Sequence, residues 1–162
     1  MTSEGQEGTA GPPRSPLETA VRDQMTAAMK AGDKVGLGAL RLLVAAITNR
    51  EKELRRPLTD DEIREVAGKE VKKRTESIEA FDAAGRAELA ARERAEREVL
   101  RDYAPAQLDD AAIDALVDEA IATTGATSMK EMGKVMGQVM ARAKGKVDGA
   151  EVQRLVRERL GA

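Results

Sequence analysis

The sequence predicts an all-α protein of two lobes, a four-helix N-terminal lobe followed by a three-helix tail domain. Only 1% of its residues are aromatic while 41% are hydrophobic. Ala, Leu, Val and Met must therefore supply the core, a set that favours helices over strands. Apolar residues also recur every third or fourth position across nearly all of 17–160, the period of one helical face. Glycine, proline and capping residues punctuate that pattern and mark where each helix stops.

Residues 1–16 carry Gly5, Gly8, Gly11, Pro12, Pro13 and Pro16 and no apolar run to bury, so a disordered N-terminal tail is expected. The helical N-terminal lobe then takes 17–104. Leu17, Val21, Met25 and Met29 recur every fourth residue and predict a first helix that stops at Gly32. Asp33 is a good N-cap for a second helix with Leu37, Leu40, Val44 and Ile47 inward. Gly36 and Gly38 weaken its first turn, and Pro57 stops its charged end.

Thr59 and Glu62 form a capping box for a third helix, from Asp60 to about Ala84. Its stripe is Ile63, Val66, Ala67, Val71, Ile78 and Phe81, with Glu70 and Arg74 on or beside it. Polar groups so placed must be paired if they are buried. One turn apart, these two can pair with each other, and Arg41 is a further candidate partner. A functional site would use the same residues, but a structural ion pair is the expectation. Lys69, Lys72 and Lys73 share another face with Glu65 and Glu76, a self-neutralising surface. Gly85 ends this helix, and 87–102 predict a fourth, highly charged one with Leu89, Ala95, Val99 and Leu100. Tyr103-Ala104-Pro105 breaks it, and the boundary between lobes falls in 102–108.

The tail domain takes 105–162. Asp109 or Asp110 opens a fifth helix with Ile113, Leu116, Val117 and Ile121 inward and acidic first turns. Ser128 and Glu131 make another capping box before a helix whose stripe is Met129, Met132, Met136 and Met140, joined by Val135, Val139 and Ala143. Residues 144–149 break it, and a short helix with Val152, Leu155 and Val156 runs to Leu160. Gly133 and Gly137 are the odd feature. At about 100° per residue they lie away from the core line, and each costs about 1 kcal/mol against alanine. A close approach to the backbone there, by a neighbouring helix or by an outside partner, would explain them.

The stretch GKVMGQVMARAKGKVDGAEVQRLV resembles the tail signature of the GatB/YqeY family. Upstream, MKAGDKVGLGALRLLVAAITNREKE, KEVKKRTESIEAF and YAPAQL are similar to stretches of the free-standing YqeY-like proteins. The resemblance covers about 17–160, nearly the whole chain. Family members stand alone or form the tail of the GatB subunit of the aspartyl/glutamyl-tRNA amidotransferase, and a similar module is appended to some glutaminyl-tRNA synthetases. Relatives tend to carry a larger residue at Gly36, an apolar one at Arg97 and Leu at Ala104. The resemblance implies tRNA as partner, with a tRNA synthetase or amidotransferase component as a further one. It places the carbon–nitrogen ligase chemistry, with glutamine as amido-N-donor, in other domains and subunits.

The residues themselves offer no catalytic constellation. There is no His and no Cys, which removes the commonest general base and all thiol chemistry. Ser3, Ser15, Ser77 and Ser128 lack a His partner, no carboxylate spacing singles out a metal set, and no P-loop is present. No cofactor, no metal and no enzyme activity of its own are therefore expected. No apolar run is long enough to span a bilayer, and 1–16 contain no segment of signal-peptide type, so no membrane partner and a cytoplasmic location are expected.

Net charge is −2, but the tail domain is split, with an acidic helix followed by Lys130, Lys134, Arg142, Lys144, Lys146, Arg154, Arg157 and Arg159. A local basic surface can bind phosphates on a slightly acidic chain. With only Phe81 and Tyr103, base stacking on aromatic platforms is nearly closed. Recognition of folded RNA through its backbone remains. The candidate RNA-binding residues are Lys130, Gly133, Lys134, Gly137, Lys144, Lys146 and Arg154. The alternative is a helical protein–protein adaptor with no RNA ligand, meeting a partner helix on the Gly133/Gly137 face.

Overall fold

Local signals decide where each helix begins and ends. The computed structural model describes residues 11–143 and 145–161. Of the expected tail 1–16, residues 1–10 lie outside the described residues, while Pro16 already opens the first helix. Seven α-helices and one 3-10 turn follow, with no strand among the described residues: α1 (Pro16–Ala31), α2 (Lys34–Leu54), α3 (Asp60–Ala83), α4 (Ala87–Arg101), α5 (Asp110–Thr124), the turn Met129–Glu131, α6 (Met132–Ala143) and α7 (Gly149–Leu160). Side chains of Ser15, Asp33, Thr59, Asp109 and Asp148 accept hydrogen bonds from the first turns of α1, α2, α3, α5 and α7. That satisfies amides which have no partner inside the helix. Gly32 and Gly125 end α1 and α5 at φ 70° and 66°, a conformation open to glycine without strain. Arg55 does the same for α2 at φ 56°, just ahead of Pro57. Gly36 is buried, and its N–H donates to Asp33 Oδ1 at 2.9 Å. A Cβ there would come within 2.2 Å of Asp33 Oδ2, so a larger residue would have to turn the cap aside.

Packing divides the chain into two units, one up to Ala104 and one from Pro105. In the first, α1, α2, α3 and α4 pack around Val21, Leu40, Leu43, Ile47, Ile63, Ala67 and Leu100. Several expected core positions shift by one residue. Met29 is 56% and Leu89 42% exposed, while Ala39, Leu43 and Ala90 are buried. On α4 the inward line is Ala90, Glu96 and Leu100 rather than one through Leu89 and Ala95. A charged helix offers few apolar markers, so its buried face cannot be found by hydropathy alone.

The polar residues on the α3 stripe are indeed inside. Glu70 is buried and reaches Lys73 at 2.8 Å and Arg74 at 3.7 Å. Arg74 also lies 3.5 Å from Glu93 and 3.2 Å from Glu96, both on α4. The pair is extended by α4, and not by Arg41, which is exposed. Arg97, on the same helix, donates to Thr75 Oγ1 at 3.3 Å.

In the second unit, α5, α6 and α7 enclose Ile113, Val117, Ala120, Val135, Val139, Ala143, Val152, Val156 and Leu160. Methionine is not the centre of this core. Met132 and Met136 are half-buried, and Met129 and Met140 are 41% and 37% exposed, whereas Val135, Val139 and Ala143 are fully covered. Each four-residue step turns a further ~40° around the helix. The row 135–139–143 crosses the core, while 132–136–140 drifts out to its rim.

Candidate nucleic-acid interface

The face of α6 opposite its valines holds the sequence-nominated glycines. The rows Gly133–Gly137–Ala141 and Lys134–Gln138–Arg142 each step by four residues and so lie side by side. Together with Thr123 and Thr124 from the end of α5 they line an open depression of about 490 Å³. A Cβ placed on Gly133 or Gly137 would meet no atom within 4 Å. No helix of the chain presses on these glycines among the described residues, so the neighbouring-helix explanation has no support within the chain. Thr124 turns its hydroxyl back, donating to the Ala120 carbonyl at 2.8 Å. The floor of the depression is therefore bare backbone, bordered by Lys134, Gln138 and Arg142.

Charge pairing sorts the basic residues of this unit. Arg159 reaches the carboxylates of Asp114 at 2.9 Å and Asp118 at 2.5 Å on α5. Arg142 pairs with Glu119, and Arg154 is held by both Glu151 and Glu158 on its own helix. Those two carboxylates raise the Arg154 guanidinium above its usual range, and Arg154 in turn lowers the Glu151 carboxyl. Arg142, Arg154 and Arg159 thus answer the acidic α5 and their own neighbours. Lys130, Lys134 and Lys146 are exposed and form no ion pair within 4 Å among the described residues. Lys134 does act at longer range on Glu131. That carboxyl is held low first by the Thr127 N–H, at 2.6 Å, then by the Ser128 N–H, with the lysine adding to both.

The structure brings Gly133, Lys134 and Gly137 to one depression. Lys130 stands a turn earlier, in the Met129–Glu131 segment, and is not on its wall. Lys146 sits in the loop before α7, where its carbonyl accepts the Leu108 N–H at 2.8 Å. Arg154 is on α7, engaged as described, and Lys144 lies outside the described residues. Sequence reasoning overlooked Gln138 and Arg142 as lining groups, although the four-residue spacing from Lys134 points to both. Thr123 and Thr124 carry no such signal, because only the α5–α6 packing brings them there.

The rest of the inventory is short. The chain has no Cys and no His, and the described residues contain no group of three or more acidic side chains placed to hold a metal. Among the described residues no helix is long and apolar enough to cross a membrane.

Comparison with known proteins agrees with this architecture. An uncharacterized protein of Schizosaccharomyces pombe is 29% identical over 89 residues, covering 55% of this chain and 72% of that protein. The family model described as "Yqey-like protein" matches residues 18–160. That match takes in all of α2 to α7 and nearly all of α1, and on it the chain belongs to the Yqey-like protein family.

Proposed function

We propose that this protein is a non-catalytic, tRNA-associated helical module of the cytoplasm, working beside a tRNA synthetase or an amidotransferase component in tRNA-dependent amidation. The single observation behind the reading is the α6 face, where Gly133 and Gly137 leave backbone open beside Lys134 while nearby arginines are spent on carboxylates. An RNA backbone needs close access and counter-charge without a demand for base sequence, and such a face supplies both. Lys130 and Lys146 add exposed charge elsewhere in the same unit, and Arg154 contributes only if a phosphate displaces Glu151 or Glu158.

The test is tRNA affinity at several salt concentrations for wild type, Lys134→Gln and Gly137→Leu. Wild-type binding should weaken steeply with salt. Lys134→Gln should lower the slope by about 1 and weaken different tRNAs alike. Gly137→Leu should block approach without touching the valine row. If wild type does not bind at low salt, or both variants match it throughout, the RNA reading fails. The same open glycine row would admit a partner helix, and a stoichiometric protein partner that Gly137→Leu releases would then make the adaptor the better account.

A further inference from the structure

The first unit contains a separate opening of about 480 Å³ between the start of α1 and the end of α2, with Arg14, Glu18, Arg22, Glu51, Lys52 and Arg56 around it. Glu18 is the anomaly. It is only 1% exposed, the most deeply buried of the charged side chains among the described residues, and its two oxygens have different surroundings. Oε1 accepts from Arg22 Nε at 3.1 Å and lies 3.3 Å from Arg14 Nε. Oε2 is just as buried and has no hydrogen-bond donor among the described residues. A buried acceptor left without a donor is rare, because it has given up water for nothing.

The group beside Glu18 is another carboxyl. Glu51, half-buried in the last turn of α2, lines the same opening, close enough for the two carboxyls to act on each other. Two ionised carboxylates at that range repel, and neither can donate. One proton removes both problems at once. We propose that Glu18 and Glu51 form a proton-binding site, in which a proton carried on Glu51 is donated to Glu18 and ties the first turn of α1 to the last turn of α2, and that losing it at higher pH loosens this contact.

The surrounding charges assign the proton to Glu51. Glu18 already has two guanidinium groups on one oxygen, Arg14 at 3.3 Å and Arg22 at 3.0 Å. Burial first, and then the charge of Glu18, push the Glu51 carboxyl above its ordinary range. The Leu58 N–H and Arg22 pull the other way without cancelling that rise. Arg56 is forked onto Glu62 at 2.8 and 3.0 Å and so is committed elsewhere. Lys52 is exposed at the rim. From α3, Asp60 accepts the Leu17 N–H at 3.1 Å, and α4 contributes no lining residue among those described. Because the folded chain holds this proton more tightly than the unfolded one, the stability it confers is complete below the ordinary carboxylate range. It is lost as the pH rises through the folded value of Glu51.

The experiment follows the side-chain carboxyl carbon shifts of Glu18 and Glu51 by NMR through a pH titration of the full chain. It also compares the melting temperature of wild type with that of Glu51→Gln, whose amide donates at every pH. The Glu51 midpoint should lie above the ordinary carboxylate range. The variant should gain on wild type as the pH rises through that midpoint, by roughly 2–6 °C. An ordinary midpoint for Glu51, a raised midpoint on Glu18 instead, or a melting difference independent of pH would each overturn the assignment. Should Glu51→Gln fail to fold, the wild-type titration decides alone.

Discussion

With its side chain 11% exposed, Arg74 spends one guanidinium on Glu70, Glu93 and Glu96. Its removal would leave Glu93 without an ion pair among the described residues, and Glu70 and Glu96 with only the more exposed Lys73 and Arg92. Arg74→Ala should therefore destabilise the first unit by about 3–5 kcal/mol, measured by urea denaturation, while tRNA affinity at fixed fraction folded stays unchanged. In the second unit the contrast is between Val139, fully covered, and Met136, half-buried at the rim. Val139→Ala should cost about 2 kcal/mol and Met136→Leu almost nothing. A larger loss at Met136 than at Val139 would put methionine back at the centre of that core. Sequence periodicity found the face of α6 but not its middle, since hydropathy ranks Met and Val alike and only packing tells them apart.

Helix ends supply the next level. The box at the start of α3 has the Thr59 hydroxyl accepting the Glu62 N–H at 3.2 Å, while Glu62 accepts from Arg56 and from the Thr59 N–H. Arg56 above all lowers the Glu62 carboxyl to about 2. A carboxyl lowered on folding contributes stability above its unfolded value, near 4.5, and that contribution is lost as the pH falls toward 2. Glu62→Gln should accordingly flatten the acid limb of a stability–pH curve while leaving the neutral-to-basic limb in place. Caps of this kind are legible because they are local: Ser15, Asp33, Thr59, Asp109 and Asp148 each act within three residues along the chain. Glu18 and Glu96 were not legible. Each is a charged residue inside a core, and what makes that tolerable is an arginine one turn away or on another helix.

At the scale of the whole molecule, the division at Ala104 and Pro105 leads to a proposal about folding: residues 105–162 fold alone. Their core is closed by α5, α6 and α7 without help, and domains near this size are marginal but do fold independently. The isolated segment should give a helical spectrum and one cooperative melt, and a non-cooperative melt would tie its stability to the first unit. The candidate interface was only half visible in advance. Helical arithmetic put Gly133, Gly137 and Lys134 on a common side, but a count of basic residues overstated the charge on offer, because pairing of Arg142 and Arg159 with α5 appears only once the chain is folded. The bare glycine row also affects how the molecule breathes. Amides of α6 should exchange with deuterium sooner than those of α5 or α7, since glycine loosens the helix around it. Gly137→Ala, which meets no neighbouring atom, should slow that exchange and stabilise the tail by about 1 kcal/mol. If RNA uses this face, the same substitution should weaken binding, so that α6 trades local rigidity for access.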